Sequence, residues 1–74
     1  MKRLGRVLHL SNNNNLILRT KIQIKPQTIV LDDQLNHVGK INDVFGPVTN
    51  PYIAIKPSVK NPNKYVGQIL YLRN

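Results

Sequence analysis

The chain has 74 residues, which is enough for a single domain with a thin hydrophobic core. It contains no cysteine, and this excludes a disulfide framework, a thiolate nucleophile and a cysteine-based zinc site. Eleven lysine and arginine residues against three aspartates give a formal net charge of +8. Such a balance favours anionic surroundings, most often nucleic acid or a ribonucleoprotein, although a solvated basic surface without RNA contact is the alternative.

The N-terminal part of the chain predicts a β-hairpin. The stretch from Leu4 to Leu10 has the composition of a strand, in which Gly5 indicates a bulge or a close backbone approach. Ser11 to Asn15 then form an asparagine-rich turn. No apolar stretch here is long enough for a signal peptide, and no window approaches a membrane span. We therefore expect a cytoplasmic protein with no membrane partner.

The clearest periodicity lies between Asn15 and Lys25. Alternation with period two marks a strand with one face in the core and one face in water. The predicted core face consists of Leu16, Leu18, Thr20, Ile22 and Ile24. The opposite, basic face consists of Ile17, Arg19, Lys21, Gln23 and Lys25.

Four further strands are predicted along the rest of the chain: Thr28 to Asp33, His37 to Phe45, Tyr52 to Pro57 and Val66 to Leu72. In the second of these, the alternation places Phe45 on the face of Gly39 and Ile41 and so predicts a core position for it. Residues Lys56 to Lys64 are expected to form a polar loop with some local turn. Six short strands predict an all-β fold with little or no helix, either a small closed barrel or a sandwich. The closed barrel is favoured, because an open sheet of this size would leave long unpaired edges.

The sequence offers little for catalysis. Asp32 and Asp33 are adjacent, so on a strand they would point to opposite faces and could not act as a pair. We expect them to start a turn at the end of the strand. His9 and His37 lack partners at metal-ligand spacing, and no serine or threonine has a base at motif spacing. We therefore expect no catalytic residue, no metal site, no cofactor and no small-molecule substrate.

Direct RNA binding is a separate hypothesis. Arg19, Lys21 and Lys25 could follow a phosphate backbone, and they are the candidate RNA-proximal basic face. Single-strand binders add several aromatic stacking platforms to such a face, whereas this chain has only one phenylalanine and three tyrosines. The alternative function is a small basic barrel that binds RNA directly, with submicromolar and steeply salt-dependent affinity, although the scarcity of aromatic residues argues against it.

The segment from Gly46 to Pro51 indicates a protein contact. Gly46-Pro47 and Asn50-Pro51 make this loop stiff, because proline fixes its own φ and restricts the residue before it. Val48 stands at the tip, where the fold has little need for an apolar side chain. A stiff apolar tip loses little entropy on docking. The alternative is a rigid hairpin corner with no partner.

The run GKINDVFGPVTNPYIAIKP closely resembles the signature of the Gar subunit of H/ACA small ribonucleoproteins in its short archaeal form. The flanks agree, through Gly5, Val7 and His9 in the opening hairpin and Gly67, Leu70 and Tyr71 in the closing strand. The matching residues of the central run are Gly39, Lys40, Ile41, Asp43, Val44, Phe45, Gly46, Pro47, Val48, Pro51 and Tyr52.

This resemblance implies a six-stranded split β-barrel that is not an enzyme and spans residues 1–74 as one domain. It implies direct binding to the catalytic domain of the dyskerin-type pseudouridine synthase, and association with H/ACA guide RNA and the other H/ACA proteins through that complex. The subunit would promote RNA-guided pseudouridylation of ribosomal RNA by aiding substrate loading and turnover. The expected synthase-binding residues are Gly39, Ile41, Asp43, Val44, Phe45, Gly46, Pro47, Val48, Pro51 and Tyr52. The chain departs from eukaryotic members in having no glycine-arginine-rich tails, so an RNA role of such tails is not expected.

Overall fold

The computed structural model describes residues 2–22 and 24–73, and it confirms the predicted all-β class. The described elements are six strands and one short 3₁₀ helix. In chain order they are β1 (Lys2–Leu10), β2 (Leu16–Arg19), β3 (Ile29–Leu31), β4 (His37–Phe45), β5 (Tyr52–Pro57), the 3₁₀ helix (Pro62–Tyr65) and β6 (Ile69–Leu72).

The six strands form a closed antiparallel barrel in the order β1-β2-β5-β4-β3-β6. The two nine-residue strands, β1 and β4, pair with β2 and β6 and with β3 and β5, respectively. Each of these four pairings contains a shift in register. The shift between β1 and β6 lies between Arg3 and Gly5, so that Leu4 is the extra residue and the bulge includes the position beside Gly5, as the sequence indicated. Bulges allow a sheet this small to curve far enough to close.

The core consists of aliphatic side chains from all six strands together with Tyr65 from the 3₁₀ helix. The largest fully buried ones are Leu16, Leu18, Ile41, Ile53, Ile55, Leu70, Val7, Val30 and Val38. Ile22 and Ile24 are partly buried and pack against this cluster from outside the strands.

The strand predicted to run to Lys25 ends at Arg19, and this is the main difference from the sequence expectation. Thr20 N still donates to Pro51 O at 3.2 Å, but Pro51 has no N–H to return to the ladder. The Thr20 hydroxyl then accepts a hydrogen bond from Ile22 N at 3.3 Å, which turns the chain. Leu16, Leu18 and Thr20 are buried as predicted, whereas Ile17 is also buried although it was expected on the basic face. Gln23 lies outside the described residues.

Candidate functional site

The loop between β4 and β5 presents an apolar surface at one end of the barrel. A backbone hydrogen bond from Asn50 N to Pro47 O, 3.2 Å long, closes the turn. Gly46 has φ +92°, a conformation that residues with a Cβ rarely adopt. Val48 is 96% exposed at the tip. We call this surface the apolar corner; it consists of Val44, Phe45, Pro47, Val48 and Tyr52.

Three side chains form a row across neighbouring strands beside the loop. Tyr52 is paired in register with Arg19 on β2 and with Phe45 on β4. The Arg19 guanidinium lies 4.5 Å from the Tyr52 ring centroid, and the Phe45 ring stacks on Tyr52 with centroids 5.5 Å apart and planes at 20°. Such cation–π and aromatic contacts fix the orientation of the three side chains. The row therefore stiffens the base of the apolar corner.

Phe45 does not enter the core, so the expectation drawn from its alternation with Gly39 and Ile41 is wrong. The pairing register of β4 with β5 shifts between Ile41 and Asp43, so that Asn42 is an extra residue. Such a bulge reverses the faces of the residues that follow it. Phe45 is consequently 44% exposed and available at the surface.

A groove of about 510 Å³ adjoins the apolar corner. Its apolar bed includes Ile22 and Ile24, which the sequence assigned to a core strand. Lys21 and Lys25 also line it. The proposed basic face and the proposed protein contact, which the sequence treated as separate, thus meet at one groove. Arg19 belongs to the same end of the barrel through its contact with Tyr52.

Two of the expected synthase-binding residues lie elsewhere. Ile41 is fully buried in the core. Gly39 is also buried, and its Cα packs against the β5 backbone at Lys56 and Pro57. These two residues support β4 and do not contribute to the apolar corner. Asp43 is exposed, and its carboxylate accepts a hydrogen bond from Val44 N at 2.9 Å.

Among the described residues, Asp32 has the largest number of side-chain hydrogen bonds, and it confirms the expectation of a turn at the end of β3. Its Oδ1 accepts from Gln34 N at 2.9 Å and from Asn36 N at 2.8 Å. Its Oδ2 accepts from Asn36 Nδ2 at 3.2 Å and from the buried Tyr65 hydroxyl at 2.9 Å. The link to Tyr65 fastens the turn to the 3₁₀ helix, a role that the sequence spacing of 33 residues gave no means of predicting.

This network changes the acidity of both partners. Burial raises the pKa of Asp32, but the hydrogen bonds from Asn36, Tyr65 and Gln34 outweigh it and hold the pKa below its ordinary 3.8. Burial and the adjoining Asp32 carboxylate raise the pKa of Tyr65 to about 12. Both shifts favour the ionised Asp32 carboxylate and the neutral Tyr65 hydroxyl at neutral pH. We therefore interpret the pair as a structural anchor rather than a reactive site.

Neither histidine lies in a cluster of metal ligands. Within residues 2–22 and 24–73, no three histidine or acidic side chains are grouped so that they could hold a metal ion. The same residues contain no helix long and apolar enough to cross a membrane.

Comparison with known proteins gives relatives in archaea. No protein-family model matches the chain. An uncharacterized protein of Methanothermobacter thermautotrophicus is 41% identical over 76 aligned positions, which cover 97% of this chain and 83% of that protein. An uncharacterized protein of Methanocaldococcus jannaschii is 37% identical over 68 positions, covering 92% of this chain and 80% of that protein. Similarity at this level across nearly the full length places the chain in one family with these archaeal proteins.

Proposed function

We propose that the chain is a non-catalytic subunit of the H/ACA ribonucleoprotein that binds the catalytic domain of the dyskerin-type pseudouridine synthase. In this role it promotes RNA-guided pseudouridylation of ribosomal RNA by aiding substrate loading and turnover. Two features support the proposal: the sequence resemblance to the Gar subunit, and a six-stranded barrel of the kind that the resemblance implies. The exposed apolar residues of the signature run, Val44, Phe45 and Val48, also lie together beside one groove.

The observation that carries the proposal is the exposure of the apolar corner. Val48 is 96% exposed and Phe45 44% exposed on a loop that two prolines and a closed turn hold stiff. When a partner covers exposed apolar side chains, their removal from water favours binding. On a preformed surface, little conformational entropy is lost in the process. A contact of this kind suits a protein partner.

The groove beside the corner indicates the chemistry of the partner segment. Its apolar bed, which includes Ile22, Ile24 and Val44, would accept an aliphatic or aromatic side chain. Lys21 and Lys25 would pair with carboxylates that flank this side chain. We therefore expect the synthase to present an apolar residue next to acidic residues.

The first prediction concerns Val48→Asp. A carboxylate at the tip must lose its water against an apolar partner surface, so we expect the affinity for the synthase to fall roughly tenfold or more. Val48 has almost no contact with the barrel, so the thermal midpoint should stay close to that of the wild type. Isothermal titration calorimetry with the synthase of the same organism measures the affinity.

The matched control is Leu35→Asp. Leu35 is 62% exposed in the β3–β4 turn, and its φ of +67° is one that aspartate tolerates. This variant makes the same change of charge away from the apolar corner and should bind normally. Equal affinities for both variants and the wild type would contradict the proposal. The same set of proteins, assayed for multiple-turnover pseudouridylation, tests the role in substrate turnover.

A further inference from the structure

Two lysines face each other at the far end of the β4–β5 hairpin. Lys40 on β4 and Lys56 on β5 are direct cross-strand partners, and both are exposed. Like charges directly opposite each other on a sheet are destabilising. The folding of the barrel gives no reason for this pairing, whereas an anion bound between the two ammonium groups would neutralise both.

Neutral hydrogen-bonding groups surround the two lysines. Together with neutral amide groups of Gln27 and Asn42, they line an open cavity of about 310 Å³. None of the three aspartates, all of which the structure describes, lines it. The site therefore has no internal counter-ion for its charge.

Ser58 and His37 add a fixed polar pair to the same cavity. The Ser58 hydroxyl lies 2.9 Å from His37 Nδ1. Ser58 N donates to Val38 O at 2.8 Å, so the backbone of β4 holds this residue in place. Both groups are exposed, and the tautomer of His37 decides whether the imidazole N–H or the Ser58 O–H is free to donate to an oxyanion.

We propose that Lys40, Lys56, Ser58 and His37 bind a phosphate group of an RNA backbone. Two ammonium groups and neutral donors on one side of a cavity match the oxygen atoms of a phosphodiester. The chain's net charge of +8 would bring RNA toward this surface. An RNA phosphate at this position would hold the barrel beside a strand without reading its bases, since phosphate contacts carry no direct sequence information.

This site is separate from the proposed synthase contact. Tyr52 of the apolar corner and Lys56 are four residues apart on β5, a distance of about 13 Å along a strand. Both surfaces can be occupied at the same time. Failure of either proposal would therefore leave the other standing, and the Val48→Asp variant should bind RNA as the wild type does.

The test is an NMR titration of the isotope-labelled chain with two probes, inorganic phosphate and a short oligouridylate, at several salt concentrations. We expect both probes to shift the amide signals of His37, Lys40, Lys56 and Ser58, and the oligouridylate to bind more tightly. In the double variant Lys40→Gln/Lys56→Gln, the oligouridylate affinity should fall roughly tenfold, and the slope of log affinity against log salt should fall by about 0.7 to 1.4. Removing the cross-strand repulsion should leave the thermal midpoint unchanged or higher.

The control is Lys2→Gln/Lys60→Gln, which removes the same charge from two exposed lysines outside the cavity. It should lose less than about twofold in affinity if binding is local. Equal losses in the two double variants would show diffuse attraction and overturn the site. Shifts with inorganic phosphate but no tighter binding of the oligouridylate would overturn the assignment to RNA. The absence of shifts around the cavity with either probe would overturn the proposal as a whole.

Discussion

At the scale of single residues, Asp32 and Asp33 show how position separates two identical side chains. Asp32 is buried and accepts four hydrogen bonds, from Gln34, Asn36 and Tyr65. Asp33 is exposed beside it. Asp32 therefore connects β3, the following turn and the 3₁₀ helix, whereas the Asp33 side chain lies in solvent.

We expect Asp32→Ala to lower the free energy of unfolding by about 3 kcal/mol, because it removes hydrogen bonds to a charged acceptor and leaves the buried Tyr65 hydroxyl without its partner. Asp33→Ala, the matched control, should change it by no more than about 0.5 kcal/mol. Urea denaturation of the two variants measures the difference. A comparable loss in both would show that Asp32 has no special role.

At the scale of elements, the pairing of β4 and β5 depends on close contact between their backbones. A Cβ atom at Gly39 would overlap the carbonyl oxygen of Lys56 and lie 2.8 Å from the Cα of Pro57. Backbone atoms cannot move aside without opening the ladder. The glycine is therefore required by the approach of the two strands rather than by an unusual φ.

Gly39→Ala should consequently destabilise the barrel strongly, by about 3 kcal/mol or more. Gly67→Ala provides the comparison, because a Cβ there meets nothing within 4 Å and only the φ of +86° opposes it, at about 1 kcal/mol. Thermal unfolding followed by circular dichroism ranks the two. If Gly67→Ala lowered the thermal stability more than Gly39→Ala, the close approach of the strands at Gly39 would not be the reason for a glycine there.

At the scale of the whole molecule, the Asp32–Tyr65 contact links the stability of the barrel to pH. The folded pKa of Asp32 is lowered, so its contribution is present above pH 3.8 and is lost as the pH falls through the lower folded value. The folded pKa of Tyr65 is raised from 10.0 to about 12, so its contribution is present below pH 10 and is lost as the pH rises through about 12.

We therefore expect Tyr65→Phe to have a smaller decrease in the free energy of unfolding between pH 10 and 12 than the wild type. All other titratable groups are the same in the two proteins, so the difference between the two curves isolates Tyr65. Asp32→Asn should likewise flatten the acidic side of the curve. Parallel curves for wild type and Tyr65→Phe would contradict the assignment.

Period-two alternation and turn residues were sufficient to predict the class of the fold. They identified six strands and predicted the observed bounds of His37–Phe45 and Tyr52–Pro57. They also indicated the bulge beside Gly5. These features are local. The burial of one face of a strand, the backbone freedom of glycine and the fixed φ of proline each depend on only a few consecutive residues. For the same reason the sequence placed an exposed apolar residue at Val48.

Other features depended on contacts between distant parts of the chain. Strand β2 ends at Arg19 because its partner β5 begins after Pro51, and Phe45 is exposed because a bulge at Asn42 changes the face of β4. The groove formed with Ile22 and Ile24 and the Asp32–Tyr65 anchor arise only when the barrel closes. Lys40 and Lys56 become opposed only when β4 pairs with β5. The sequence by itself determined which segments become strands; closure decided their register, and register decides which side chains meet at the surface.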